Sequence, residues 1–291
     1  MKHTLIIFAV AAGLLGTACS EDDEITGDNG NVVADRTIRV PQEQPTIQAG
    51  INAARIGDTV LVADGVYFGF GNQDIVFGGK TLVVKSENGP ASTILELESD
   101  PNNLNFAFEL TLTSESGVTI DGFTIRRAYN SQGSCLNLRS VSPTIKNCVF
   151  AYNNAVTSGG AVRCKSASPT FESCTFAYNS APTGAAVYLI AGSSPHFSNC
   201  ILAYSLGGET IVCGDAYCLP TFSCCDIYGN EGGDWTDDIA GFLGTDGNVS
   251  LDPMFCDDSR YNFHLMPESP CLAANSDCDV DMGALGADCS Q

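Results

Sequence analysis

The sequence predicts an all-β fold: a right-handed parallel β-helix (solenoid) with a short N-terminal capping helix and an irregular, disulfide-containing C-terminal cap. Three observations predict it. The segments Ser142–Asn153, Ser168–Asn179 and Ser194–Ser205 superimpose without gaps at a spacing of 26 residues. Before, between and after them run second strand-like segments, Cys135–Leu138, Ala161–Cys164, Ala186–Leu189 and Thr210–Cys213, each introduced by a turn rich in Gly, Ser, Thr or Asn. Strands this short cannot each bury a face alone, so one turn of chain per repeat must stack on the next around an aliphatic core.

Taken in chain order, Lys2 and His3 precede an unbroken apolar run from Leu5 to Leu15. This is a signal-type hydrophobic segment, too short to span a bilayer as a helix. Leu15-Gly16-Thr17-Ala18-Cys19 follows and resembles the lipobox of bacterial lipoproteins, with Gly16 departing from the usual aliphatic residue. The resemblance implies removal of residues 1–18, lipid on Cys19 and a lipid-anchored position at the bacterial outer membrane or cell surface. Residues 19–35 carry Glu21, Asp22, Asp23, Glu24 and Asp28 with little to bury, which predicts a solvated tether. The same acids resemble the surface-export signal of some Gram-negative lipoproteins.

Residues 36–233 are expected to form the solenoid. Ile47, Ile51 and Ala54 share one face of a short helix that plugs its first end, Gly57 ends that helix, and Val60 and Val62 open the first coil. Alternation points three ladders inward: Ile145, Phe171, Phe197 and Phe222; Cys148, Cys174, Cys200 and Cys225; Phe150, Phe176, Leu202 and Ile227. The cysteine ladder is expected to hold stacked thiols. The corner residues Asn147, Ser173, Asn199 and Cys224 suggest a partial asparagine-type turn ladder, its side chains bonding backbone on the next rung. The stretch Pro45–Tyr67 resembles the opening of pectin-lyase-like β-helix proteins. Asp252–Phe255, Tyr261–Leu265 and Asp281–Leu285, within residues 234–291, resemble the closing module of secreted repeat proteins of that superfamily. The resemblance implies the fold but no single activity, because the superfamily holds lyases, hydrolases, esterases and adhesins.

Fourteen cysteines in an exported chain read as disulfides and buried thiols rather than a metal cluster. The expected pairs are Cys271 with Cys278, Cys256 with Cys289, and Cys213 with Cys218.

Nucleophile-elbow and zinc-protease motifs are missing from the sequence, and no catalytic residue is assigned. His196 takes an outward strand position and His264 sits in the closing module, and both read as structural. The candidate ligand-binding residues are outward ones: Asn137, Arg139, Arg163, Lys165 and Tyr188. Gly122 to Gly208 holds six bases against one acid, Glu172, in a chain whose formal charge is −21. Such a basic middle can focus an anionic polymer. The pI near 4.1 speaks against nucleic acid. Asp277, Asp279 and Asp281 alternate ahead of Gly283 as in a calcium loop, but the glycine is one place late and no bidentate glutamate follows. Surface acids are therefore the first reading there and calcium the second, with no other cofactor expected. The expected function is a monomeric, cell-surface-anchored protein that binds an extracellular polymer, polysaccharide first, without turnover. A polysaccharide lyase or glycoside hydrolase, and a structural or adhesive surface protein, are the alternatives.

Overall fold

The computed structural model describes residues 35–290; the expected signal segment 1–18, the expected lipid site Cys19 and the expected tether up to residue 34 lie outside them. Short strands wind through three parallel sheets. The first has eight strands, from Thr37–Val40 through Thr144–Lys146 and Thr170–Glu172 to Thr221–Ser223. The second has seven, from Gly65–Tyr67 through Val149–Ala151 and Thr175–Ala177 to Asp226–Tyr228. The third has six, from Ile75–Val76 through Leu136–Arg139, Val162–Lys165 and Val187–Ile190 to Ile211–Cys213. A short four-stranded ladder, beginning at Tyr129–Gln132, turns the corner between the second and third. Equivalent residues of successive repeats are direct partners, as Ile145 with Phe171 and Phe171 with Phe197.

This register stacks like on like inside. Phe150 lies on Phe176 with ring centroids 4.8 Å apart, and Phe171, Phe197 and Phe222 continue as stacked pairs at 4.9 and 5.1 Å. Cys148, Cys174, Cys200 and Cys225 are buried free thiols, and each of the last three donates to a backbone carbonyl about a rung away at 3.5 Å. Burial pushes the Cys148 thiol up to about 12, which keeps it protonated and unreactive.

The asparagine ladder differs from the expectation. The corner residues Asn147, Ser173 and Asn199 adopt left-handed backbones, and it is their N–H groups that donate to the next rung, to Glu172, Ser198 and Ser223 carbonyls. The Asn147 side chain instead donates to Asp121 at 2.8 Å. The side-chain ladder sits after the second sheet, at Asn153, Asn179 and Asn230, all buried. Asn153 donates its backbone and side-chain N–H groups to Asn179 Oδ1 at 3.2 and 3.0 Å, and Asn179 donates to the Phe150 carbonyl at 2.9 Å. Here the side-chain amides reach carbonyls of the second-sheet strands one rung back, Ile125 for Asn153 and Phe150 for Asn179.

Both ends are plugged. Thr46 caps the helix Ile47–Ala53, whose Ile47, Gly50 and Ile51 are buried. Gly57 does not end it: Ala54 does, in extended conformation, and Gly57 takes its left-handed turn later, just ahead of the strand Thr59–Val62. Gln48 lies over the exposed edge of the first third-sheet strand, donating to the Val76 carbonyl at 3.0 Å and accepting from its N–H at 2.9 Å. At the far end Trp235 and Phe242 pack edge-on against Phe222, and Val249 pairs with the last second-sheet strand.

The closing module does more than end the solenoid. The segment around Trp235 and Ile239 does the plugging, and the chain beyond residue 252 folds back along the outer face of the second sheet. There Phe255, Phe263, Leu265 and Met282 bury Val149, Ala151, Ala177, Ile201 and Ala203. Tyr152, Tyr178 and Tyr204 stack along the border at 4.8 and 5.2 Å, with hydroxyls on the Asp258 carbonyl, the Asp258 carboxylate and Asp252. An outward row of Val, Ala and Ile is too apolar to face water, and the module supplies its cover.

The disulfides follow from this placement. Cys256 and Cys289 are bridged within the module. Cys278 pairs with Cys224, not with Cys271, because folding back brings it to the corner position that Asn147, Ser173 and Asn199 occupy in earlier repeats. Cys271 is a buried free thiol that donates to Asp226 Oδ2 at 3.4 Å. Cys213 and Cys218 are also free: the Cys218 thiol turns to Asp215, whose carboxylate accepts from the Tyr217 and Ala191 N–H groups and sets the loop.

Asp226 ends the apolar row Val149, Thr175, Ile201 and is fully buried, with no ion pair among the described residues. Burial pushes its carboxyl up to about 7, against the hydrogen bond from Leu251 N–H, with Asp234 and Asp252 adding to the rise. The folded value lies above the unfolded one, so this group's contribution is fully present below the unfolded value and is lost as pH rises through about 7. Asp226→Asn is expected to remove that loss. The check is the urea midpoint at about pH 5 and about pH 8: the gap should narrow in the variant, and an unchanged gap counts against the assignment.

Candidate functional site

The outer face of the third sheet collects the residues singled out in the sequence. Register places Asn137 beside Arg163 and Arg163 beside Tyr188 in one row, with Arg139 beside Lys165 in the next. Their intervening neighbours Leu136, Leu138, Val162, Cys164, Val187 and Leu189 point into the core, which fixes the outward side chains on a rigid strand surface. The preceding corner bounds a groove of about 330 Å³ over Asn137, Arg139, Arg163 and Lys165, with Asn130, Ser131 and Gln132 as one wall. Gly133 makes that corner possible: its φ is +57°, and a Cβ there would lie 2.7 Å from Arg163 Cβ. Tyr188 stands one rung farther along, outside the groove lining.

Besides the wall Asn130, Ser131 and Gln132, two further lining residues were not anticipated. Phe106 and Glu109 come from the coil before the repeats, and Glu109 pairs in register with Asn137. Glu109 Oε1 accepts from Asn137 Nδ2 at 2.7 Å and lies 3.5 Å from Arg139 Nη2. Arg163 and Lys165 have no ion pair among the described residues. Arg163 Nε and Asn137 Oδ1 are buried without a hydrogen-bond partner. Burial, with Arg139 alongside, lowers the Arg163 guanidinium from its ordinary value. A partly desolvated guanidinium with two exposed cations beside it gains from an anion laid across them. Near Glu109, the Asp74 carboxyl is raised from its ordinary value by burial and by the Glu109 charge, while accepting from Phe106 N–H at 3.1 Å.

Residues 102–248, about half of the chain, match the family model described as a right handed beta helix region. The chain belongs to the right-handed β-helix family. The groove thus lies on a strand-built side of a family solenoid, and the match speaks to fold alone. No curated protein matches this β-helix chain.

The remaining candidates lie apart from the groove. His196 is an exposed outward residue of the first sheet, with Nδ1 2.9 Å from Thr221 Oγ1. Asp277, Asp279 and Asp281 occupy a turn of the module, where Asp281 Oδ1 accepts from Ala273 N–H at 2.8 Å. No three His, Cys, Asp or Glu side chains gather as metal ligands among the described residues.

Proposed function

We propose that the third-sheet groove binds an extracellular anionic polymer, a polysaccharide, without turnover, on a protein displayed at the bacterial surface through lipid on Cys19. The observation that carries this reading is the pair Arg163 and Lys165, uncompensated by any carboxylate in an otherwise acidic molecule and set beside Arg139 on adjacent rungs. Repulsion from the acidic remainder directs an anionic chain to this face. Rungs about 4.8 Å apart offer repeated contacts along an extended ligand, and Tyr188 continues the row as an aromatic platform.

A lyase or hydrolase is the second reading, favoured by Glu109 beside Arg139 and by the raised carboxyl of Asp74 near it. One experiment separates the two. The protein is applied to a glycan array at low and high salt, and each bound glycan is then incubated and sized. Binding to acidic glycans should weaken with salt and fall at least about tenfold in Arg163→Ala/Lys165→Ala. Shortened glycans would replace binding by catalysis, and silence across the array would sink both.

A further inference from the structure

A second cavity lies where the folded-back module stops short of the first rungs of the second sheet. Its volume is about 260 Å³, on the scale of a monosaccharide. Arg126, Arg260, Tyr261 and His264 line it together with apolar Ile94 and Leu285. No carboxylate is part of the lining.

The Arg126 guanidinium lies 4.1 Å from the centre of the Tyr261 ring and is held by Glu96, Nε to Oε2 at 2.5 Å. Its terminal nitrogens carry no hydrogen bond among the described residues. Tyr261 has φ +63°, a left-handed backbone that is strained for an aromatic residue, and is fixed there edge-on to Tyr152 at 5.1 Å. Arg260 is mostly exposed, 3.6 Å from Asp257. Around the opening Arg126, Arg127 and Arg260 stand against Glu96 and Asp257, and the Asp288 charge reaches His264. With the surroundings this close to charge balance, a singly charged carboxylate is accommodated better than a doubly charged phosphate.

We propose that this cavity is a binding site for a carboxylic acid of about monosaccharide size, its carboxylate on Arg126 and Arg260 and its body against Ile94 and Leu285. The site is separate from the third-sheet groove and does not rest on the reading given to it.

His264 is the natural reporter. It is buried in the lining, with Nδ1 2.9 Å from Asn262 Oδ1, whereas His196 stands on the first sheet and serves as a reference. Glucuronate, glucose and acetate are titrated into the full chain while the imidazole ring protons are followed by NMR, with His264→Gln assigning the signal. Glucuronate should move the His264 signals saturably and leave those of His196 in place. Glucose should have no effect, and acetate should act only at concentrations at least about tenfold higher. Arg260→Gln should weaken the glucuronate response about fivefold. Arg126→Lys, which keeps the charge beside Glu96 but loses the planar fork, should weaken it about tenfold. A still His264 signal, an equal response to glucose or acetate, or both variants titrating like the parent would overturn the proposal.

Discussion

Asn179→Ala is expected to lower the unfolding free energy by about 3 to 5 kcal/mol. The side chain is fully buried and completes three hydrogen bonds, two accepted from Asn153 and one donated to the Phe150 carbonyl. Alanine would leave two N–H groups and a carbonyl buried and unpaired, each at a cost of about 1 to 3 kcal/mol, offset in part by relaxation. Because the ladder joins successive rungs, the loss should also show as weaker hydrogen-exchange protection on both sides of position 179. The neighbouring Asn154→Ala, whose side chain takes no part in this ladder, should stay within about 0.5 kcal/mol of the parent. Equal urea midpoints for the two variants would remove the ladder from the account of stability.

Breaking the bridge between Cys224 and Cys278 should have an effect of similar size. The two cysteines are 54 residues apart, and closing a loop of that length stabilises by about 4 kcal/mol in the chain-entropy treatment. The bond also joins solenoid to module, so Cys224→Ser/Cys278→Ser should expose the row of Val149 and Ile201 and make the chain after residue 252 the first site of proteolysis. Cys256→Ser/Cys289→Ser removes a bridge that lies wholly inside the module, with a separation of 33, and should loosen the terminus without uncovering the sheet. Limited proteolysis of the two double variants distinguishes these outcomes, and the same first cut in both would contradict the assignment.

Most of the fold was legible because the repeats align without gaps. Once Phe171 is set above Ile145 and below Phe197, the period of two assigns every inward residue, the thiol ladder included. What escaped had a different origin. Val149, Ala151 and Ile201 alternate with the inward Phe150 and Leu202, and their apolar character is the sign of a covering element, but nothing local says which segment returns to cover them. The pairing of Cys224 with Cys278 had a comparable trace, a cysteine where other repeats carry Asn or Ser at the corner. The asparagine ladder was assigned to that corner, although Asn153 and Asn179 were equally well aligned in the repeats; only three-dimensional turn geometry decides which column reaches the carbonyls of the preceding rung.

The candidate site was partly legible for the same reason. Arg139, Arg163, Lys165 and Asn137 belong to aligned strands and do share one groove. Glu109 comes from a coil whose sequence departs from the repeat, so its register could not be counted from the motif. Tyr188 is in the right row but one rung too far to line the groove.

The plugged ends have a consequence for many molecules rather than one. A parallel sheet with a bare last strand is a template on which the next copy can add, and repeated addition gives a fibre. Here Gln48 occupies the hydrogen-bonding groups of Val76 at one end, and Val249 pairs with Asp226 and Ile227 at the other. At these two edges a crowding copy finds the ladder already occupied. If the proposed groove binding holds, copies kept apart in this way would each take their own stretch of a long ligand, and attachment would strengthen with the number of copies engaged instead of with the length of a filament.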